Sequence, residues 1–249
     1  MARLALLSDV HGNLEALCAV LADIDRAGVD CIVCLGDVVG YGPDPDACVD
    51  LVSERCDVVV RGNHDEAALE PALAQRFNPH AQAGVEHARR RLCAERLACI
   101  AAWPSRSFAH GVELAHGCFG ARRFAYVHSP QTAQLAFAGL SAELGAVGHT
   151  HLPAVFAASV PEESAERVTA LAPPAGAVVT LRPGCRHIVN PGSVGQPRDR
   201  NPHAAWALLD VANRTYQLRR VAYCVGEVER KMRRAGLPGV LWERLRVGA

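Results

Sequence analysis

The chain has 249 residues, of which 50% are apolar and 21% are charged. This balance excludes a disordered or low-complexity protein, because it supplies enough apolar side-chain volume for a substantial core. Lys plus Arg and Asp plus Glu both number 26, so no net charge attracts nucleic acid or an anionic membrane. No apolar run reaches the ~18 residues of a membrane span, and the stretch Met1–Leu7 is too short for a secretory signal. We therefore expect a cytoplasmic protein with a single domain over residues 1–249.

The first 65 residues alternate between short apolar runs and helical patterns. Apolar runs typical of buried strands lie at 4–7, 31–35 and 58–60, and helical periodicity lies between them at 14–28 and 46–55. Alternating strands and helices predict parallel strands joined by right-handed crossovers, and hence an α/β fold.

The remainder of the chain predicts further helices and strands. The pattern is helical from Glu66 to Ala102, extended from Phe108 to Val127, and helical again from Ala133 to Leu144. Residues 159–176 are rich in Pro, Ala, Ser and Glu and predict a surface loop. Later strands are predicted at 146–147, 178–181, 188–189, 205–211 and 216–221, and an amphipathic helix follows at 225–232.

The ten cysteines do not predict a disulfide framework. Cys31 and Cys34 have no second pair with which to form a zinc site, and side chains three apart on a strand point to opposite faces. Without a secretory signal, we interpret the cysteines as reduced residues that pack in the core.

Residues that can bind a metal ion follow five of the apolar runs. They are Asp9, His11, Asp37, Asn63, His128, His149 and His151. Ligands of α/β sheets bind at the edge where the carboxyl ends of the strands meet. Residues two apart, such as His149 and His151, project to the same side of an extended backbone. The pattern therefore predicts a metal centre at this edge.

Carboxylate, imidazole and amide ligands suit divalent or trivalent Mn, Fe, Zn, Ni or Co, and they disfavour copper(I) and iron–sulfur clusters. Seven candidate ligands exceed what one ion needs, so we expect two ions that share a bridging carboxylate, with manganese favoured. Two ions ~3.5–4 Å apart can hold a hydroxide between them and clamp the attacking and leaving oxygens of an in-line phosphoryl displacement.

These segments resemble the signature motifs of the calcineurin-like metallophosphoesterases. The matching motifs are Asp9-x-His11, Gly36-Asp37, Gly62-Asn63-His64-Asp65, His128 and Gly148-His149-Thr150-His151. Three further segments, Gly36–Pro43, Asn190–Asp199 and Ala235–Pro238, resemble the bacterial and archaeal phosphodiesterase-like branch. The resemblance implies a four-layer αββα sandwich of two mixed β-sheets flanked by helices. It also implies the metal-dependent hydrolysis of phosphoric esters.

The resemblance assigns a role to each motif residue. The implied ligands are Asp9, His11 and His151 for one ion, Asn63, His128 and His149 for the other, and Asp37 for both. His64 is expected to contact the scissile phosphate and to protonate the leaving group. Asp65 is expected either to fix the tautomer of His64 or to serve as a turn or helix-cap residue. Asn13 and Arg198 are the candidates for substrate binding.

The second motif departs from that of the Ser/Thr protein phosphatases and diadenosine tetraphosphate hydrolases. Those enzymes carry Gly-Asp-x-x-Asp-Arg-Gly, whereas Gly36–Gly42 lacks the second Asp and the Arg. An arginine at that position would bind a dianionic phosphate through two hydrogen bonds. We therefore expect a phosphodiesterase that acts on a small or nucleotide-type diester, with Arg198 either supplying a cation or lying exposed.

Two alternatives stay open. One is a phosphomonoesterase, nucleotide pyrophosphatase or protein phosphatase with the same metal centre. The other is a non-catalytic binding scaffold.

The basic run Arg230–Arg234 is interpreted as the solvated face of the last helix, so nucleic acid is not an expected partner. A homo-oligomer is compatible with the sequence. Six histidines match no motif, and we expect them at the surface or hydrogen-bonded in the core: His80, His87, His110, His116, His187 and His203.

Overall fold

The structure is a computed structural model that describes residues 2–159 and 167–249. The strands of the described residues are β1 (Arg3–Leu7), β2 (Cys31–Cys34), β3 (Val58–Val59), β4 (Arg106–Ala109), β5 (Val112–Ala115), β6 (Leu144–Ala146), β7 (Pro153–Ser159), β8 (Arg167–Leu171), β9 (Val178–Thr180), β10 (Arg186–Pro191), β11 (Ala204–Asp210) and β12 (Thr215–Val221). The helices are α1 (Leu14–Ala27), α2 (Pro45–Arg55), α3 (Asn63–Leu69), α4 (Pro71–Ala74), α5 (Pro79–Arg91), α6 (Ala94–Ala102), α7 (Pro130–Gly139), α8 (Val225–Arg234) and α9 (Gly239–Glu243), followed by a 3₁₀ turn at Arg244–Arg246.

The strands form two mixed sheets of six strands each. The first sheet has the order β3-β2-β1-β11-β12-β9, and the second has the order β4-β5-β6-β10-β7-β8. In the first sheet β1, β2 and β3 are parallel neighbours, and in the second β5, β6 and β10 are parallel neighbours. Each sheet therefore presents an edge at which several strands end together.

Strand β1 separates two layers of the core. Its side chains alternate, so that Ala5 and Leu7 pack against the helices while Leu4 and Leu6 pack against the second sheet. Helices α1, α2 and α6 cover the first sheet, and α7 covers the outer face of the second. Because β1 is buried on both faces, its sequence is a continuous apolar run rather than an alternating one. The result is the expected four-layer α/β sandwich.

The ends of helix α1 follow from its flanking residues. The Asn13 side chain accepts a hydrogen bond from the Ala16 backbone N–H at 3.1 Å and caps the first turn. Gly28, with φ of 65°, ends the helix in the left-handed conformation that glycine adopts without steric cost. Asn13 and the preceding motif Asp9-x-His11 therefore lie between the carboxyl end of β1 and the first turn of α1.

Three predicted segments differ from the observed elements. Residues 124–127 form no strand, although their apolar sequence resembles one. Helix α7 ends at Gly139, and Leu144 begins β6 instead of closing the helix. In the predicted loop at 159–176, residues 167–171 form the edge strand β8, and residues 160–166 lie outside the described part of the chain. Strand β8 is mostly exposed and is held by its pairing with β7, so it has no apolar alternation to reveal it.

Gly195 lies where two site-bearing loops cross, and we expect Gly195→Ala to destabilise the fold. A Cβ at this position would overlap the Val10 carbonyl oxygen, so the loops must separate, at a cost of about 1–3 kcal/mol or more. The control is Gly226→Ala in α8, where a Cβ meets open space and helix propensity improves. Urea unfolding of both variants measures the difference. Equal stability of the two would show that the crossing tolerates a side chain.

Candidate metal centre

Six buried Asp and His side chains converge where β1, β2, β5 and β6 end. They are Asp9, His11, Asp37, His116, His149 and His151. All but His116 have positive φ angles, between 49° and 65°. Such a conformation is strained for residues other than glycine and is found preferentially at functional sites. The backbone therefore bends sharply in order to bring these side chains to one point.

The first group of ligand atoms belongs to Asp9, His11 and His151, and these atoms lie within 4.8 Å of one another. The Nδ1 atoms of His11 and His151 donate to the carbonyl oxygens of Val39 and Gln196, at 3.1 and 2.6 Å. In the neutral rings this arrangement leaves both Nε2 atoms without a proton. The two Nε2 atoms face each other at 3.1 Å, and Asp9 Oδ1 lies 3.4 Å from His151 Nε2.

The second group belongs to Asp37, His116 and His149 and has the same design. His116 Nδ1 donates to the Leu35 carbonyl at 2.7 Å, and His149 Nε2 donates to the Phe124 carbonyl at 3.1 Å. The two remaining ring nitrogens face each other at 3.2 Å, and Asp37 Oδ2 lies 3.2 Å from His116 Nε2. The same Asp37 oxygen is 3.7 Å from His11 Nε2. Asp37 therefore lies between the two groups.

These residues fit a metal ion on their own chemistry. The His11 and His151 lone pairs that face each other at 3.1 Å repel unless a cation lies beside them. The Asp9 Oδ1 and Asn63 Oδ1 atoms are buried, and neither has a hydrogen-bond partner among the described residues. Leaving a buried polar atom without a partner costs about 1–3 kcal/mol, and more for a charged one. A cation in the first group would satisfy both Nε2 atoms and Asp9 Oδ1 together, and a cation in the second group would take the position of the proton between His116, His149 and Asp37.

The electrostatics of the cluster favour bound cations. Burial lowers the pKa of His149 to about 3 and holds the pKa values of His11 and His151 well below the usual range, so these rings are neutral donors. Burial also disfavours the charged form of His116, but the facing carboxylates of Asp37 and Asp9 outweigh it and raise its pKa to about 10. The negative potential that holds a proton on His116 attracts a metal cation equally.

His64 belongs to a third group with His11 and Asp37, whose ligand atoms also lie within 4.8 Å of one another. Its ring is surrounded by other aromatic rings. Its ring centre is 4.6 Å from that of Tyr41, 4.9 Å from that of Phe77 and 4.8 Å from that of His11. Its backbone N–H donates to Asp37 Oδ1 at 2.8 Å and so fixes that carboxylate. Asn63 and His64 begin α3, and the helix start brings the His64 ring to the centre. The Asn63 Oδ1 atom is buried without a hydrogen-bond partner among the described residues, which suits a metal ligand.

Asp65 supports the loop that carries Asp37 and does not contact the His64 ring. Its carboxylate accepts hydrogen bonds from the backbone N–H groups of Asp37, Val38, Val39 and Gly62, at 2.9 to 3.2 Å. The four hydrogen bonds support the role of a turn and helix-cap residue. The His64 Nδ1 atom has no hydrogen-bond partner among the described residues, so no contact with Asp65 supports the tautomer role.

His128 is not brought to the centre, and His116 takes the place expected for it. The His128 side chain is exposed, and its backbone N–H donates to Thr132 Oγ1 in the first turn of α7. The apolar run before it forms no strand. Its Tyr126 ring stacks on the His149 ring, with 4.3 Å between the two ring centres. His116 directly follows β5, and its position after an apolar run and before Gly117 is the signal that would have found it. The other histidines without a motif are exposed or buried away from the centre, as expected: His80, His87, His110, His187 and His203.

The two candidates for substrate binding differ in their placement. Asn13 is buried, and its polar atoms are used by the α1 cap and by the Gly195 carbonyl, to which Nδ2 donates at 2.9 Å. These contacts give Asn13 a structural role beside the centre, and its role in substrate binding stays a prediction. Arg198 is half-buried beside the centre, with its guanidinium group 5.9 Å from the centre of the Tyr41 ring.

The end of β10 and the residues that follow it hold the loops of the metal centre in place, a role that the sequence did not reveal. Asn190 Nδ2 donates to the Gly148 carbonyl at 2.7 Å and to Thr150 Oγ1 at 3.1 Å. Ser193 Oγ donates to the Asp9 carbonyl at 2.8 Å. These buried bonds join the loops of the two sheets and fix the separation of their histidines and carboxylates.

Two mixed sheets with an Asp, His and Asn centre at their shared edge define a metal-dependent phosphoester hydrolase. Residues 2–214 match the calcineurin-like phosphoesterase superfamily domain, and the chain belongs to that family. No helix among the described residues is long and apolar enough to cross a membrane.

Solved structures and a curated relative resemble the chain over its full length. The structure of a metallophosphoesterase from Sphaerobacter thermophilus is 36% identical, has a TM-score of 0.86, and covers 100% of this chain and 99% of its own. A hypothetical protein from Pyrococcus horikoshii is 19% identical, with a TM-score of 0.79 and coverage of 100% and 99%, which shows the shared fold. An uncharacterised protein from Methanocaldococcus jannaschii is 29% identical over 98% of both chains.

We expect His116→Ala to lose metal while His128→Ala keeps it. His116 contributes a buried nitrogen to the second group, whereas His128 is exposed. Inductively coupled plasma mass spectrometry of both variants, loaded with Mn²⁺ and desalted, measures the ions per chain. Loss of metal from His128→Ala with retention in His116→Ala would reverse this assignment.

Proposed function

We propose that the chain is a dinuclear phosphodiesterase that hydrolyses a small or nucleotide-type phosphodiester. The observation that carries the proposal is the pair of ligand groups on either side of Asp37, in which each group has two inward-facing ring nitrogens. A carboxylate between two such groups suits a bridging role. Only two ions, rather than one, would use every inward-facing donor atom.

The proposed ligands follow from this geometry. They are Asp9, His11 and His151 for the first ion, Asn63, His116 and His149 for the second, and Asp37 for both. Mixed nitrogen and oxygen donors of this kind suit Mn, which we favour, and also Fe, Zn, Ni or Co. When bound, the ions would polarise the phosphate oxygens and activate a water molecule for in-line attack on phosphorus.

The protein's own residues orient the substrate and handle the leaving group. The His64 ring, held by Tyr41 and Phe77, is positioned to contact the phosphate and to supply a proton to the leaving oxygen. The loop from Gly36 to Gly42 contributes no cation, and its Val38 and Val39 side chains are buried. A diester with one negative charge therefore suits this face of the site better than a monoester with two.

Hydrolysis of bis-p-nitrophenyl phosphate and of p-nitrophenyl phosphate tests this proposal. With Mn²⁺-loaded protein we expect about two ions per chain and a higher kcat/KM for the diester. Faster hydrolysis of the monoester at equal metal loading would favour the monoesterase alternative. Fewer than about one ion per chain, not restored by Mn²⁺, would favour the non-catalytic scaffold.

We expect His64→Ala to keep both ions but to lose turnover by about 10²–10⁴-fold, the usual effect of removing a positioned acid. The loss should be smaller for a good leaving group such as p-nitrophenolate than for an alkoxide, which needs the proton more. Kinetics on both kinds of diester, with metal content measured in parallel, check this. Equal losses would indicate a phosphate-binding role alone, and loss of metal would make His64 a ligand.

The proposal includes a cytoplasmic location and action as a single domain on a small phosphoester. The ten cysteines are free thiols, of which four are buried and three are partly buried. Cys18, Cys93 and Cys224 are exposed, so the expectation that the cysteines pack in the core is wrong for these three. Reduced cysteines in this number are typical of proteins that work in a reducing compartment.

A further inference from the structure

Two arginines meet at one amide oxygen beside the metal centre. Arg198 Nη2 donates to Gln196 Oε1 at 3.1 Å, and Arg244 Nη1 donates to the same oxygen at 3.3 Å. The Nε atom of each arginine is buried without a hydrogen-bond partner among the described residues. One uncharged oxygen thus accepts hydrogen bonds from two guanidinium groups, and each group keeps N–H donors without a partner.

Neither arginine has a carboxylate partner within residues 2–159 and 167–249. The adjacent carboxylate of Asp199 pairs with Arg220, and Glu229 pairs with Arg233 and Arg246, at 2.8 and 2.6 Å. Like charges held together in a half-buried position repel, and a bound anion removes that repulsion. Burial and the charge of Arg198 both lower the pKa of Arg244, in agreement with an unbalanced pair.

The arginine pair lies next to the proposed substrate position. The Arg198 guanidinium group is over the Tyr41 ring, and that ring lies 4.6 Å from the rings of both His11 and His64. The Gln196 backbone carbonyl also accepts the Nδ1 proton of His151. A single tyrosine ring and a single glutamine therefore connect the pair to the metal ligands.

The last turn of the chain holds Arg244 in this position. Leu241 and Leu245, on either side of it, are buried in one cluster with Tyr41, Val228 and Met232. This segment follows the part of the chain matched by the family domain, residues 2–214. The carboxyl-terminal helices thus add a second cation to a site whose ligands all come from the family domain.

We propose that Arg198 and Arg244 together bind a second anionic group of the substrate, so that the preferred diesters carry a phosphate in addition to the scissile one. The identity of the scissile group rests on the proposed phosphodiesterase function. The anion site itself rests on the paired guanidinium groups. Arginine binds phosphate oxygens through two parallel hydrogen bonds, and each arginine here has donors available for them.

Isothermal titration calorimetry of the Mn²⁺-loaded full chain tests the proposal without turnover. The probes are thymidine 5′-monophosphate and thymidine 3′,5′-bisphosphate, which differ by one phosphate. We expect the bisphosphate to bind about tenfold or more tightly than the monophosphate, as two charge-assisted hydrogen bonds provide. Arg198→Ala and Arg244→Ala should each reduce that preference to about twofold.

The matched control is Arg246→Ala, in the same 3₁₀ turn as Arg244. Arg246 is exposed and pairs with Glu229, so its removal should leave the preference unchanged. Arg244→Gln, which keeps most of the side-chain packing, replaces Arg244→Ala if thermal melting shows the alanine variant to be unfolded. The proposal is overturned if the preference survives both arginine substitutions, or if both ligands weaken equally.

Turnover of bis-p-nitrophenyl phosphate, measured on the same preparations, separates the two proposals. Wild-type protein that prefers the bisphosphate but hydrolyses no diester contradicts the proposed function and leaves the anion site standing. Protein that hydrolyses the diester without any preference for the bisphosphate contradicts the anion site alone.

Discussion

The hydrogen bonds from four histidine rings to backbone carbonyls are the constraint on which the centre depends. The acceptors are Leu35, Val39, Phe124 and Gln196. In a neutral ring each bond takes the proton to the outside and leaves a nitrogen lone pair facing inward. His116 carries a second proton at its inward nitrogen, at the position that a metal ion would occupy. Those carbonyls belong to loops of both sheets, so the tautomers of the ligands and the packing of the two sheets are fixed by the same contacts. The fold and the donor set are therefore inseparable.

Three polar side chains outside the metal centre stabilise its loops through hydrogen bonds to the backbone. Asp65 holds four backbone N–H groups around the Asp37 loop, and Asn190 and Ser193 hold the loops that carry His149 and Asp9. Asp65 lies in the same short motif as Asn63 and His64, whereas Asn190 and Ser193 lie in the segment Asn190–Asp199, far from the candidate ligands in sequence. The support of the candidate ligand loops therefore comes both from within their motifs and from a distant part of the chain.

The sequence predicted the features that depend on strand ends. Asp9, Asp37 and His149 follow continuous apolar runs, and parallel strands place such positions at one edge of a sheet. It did not distinguish His116 from His128, because both follow a short apolar run. Only the tertiary structure shows that the run before His116 forms β5 whereas the run before His128 forms no strand. Strand β8 and the placement of Arg244 beside Arg198 depend on tertiary contacts, which leave no local periodicity.

The left-handed backbone at five of the ligands gives the centre a particular relation to the stability of the protein. A non-glycine residue in this conformation costs of order 1–3 kcal/mol, and the surrounding loops must supply that energy. Glycine at any of these positions would relax the backbone and remove a donor atom at once. A substitution chosen for stability alone would therefore favour glycine at these positions, and the same substitution would remove a candidate metal-binding side chain. Stability and metal binding thus make opposite demands on the same five positions.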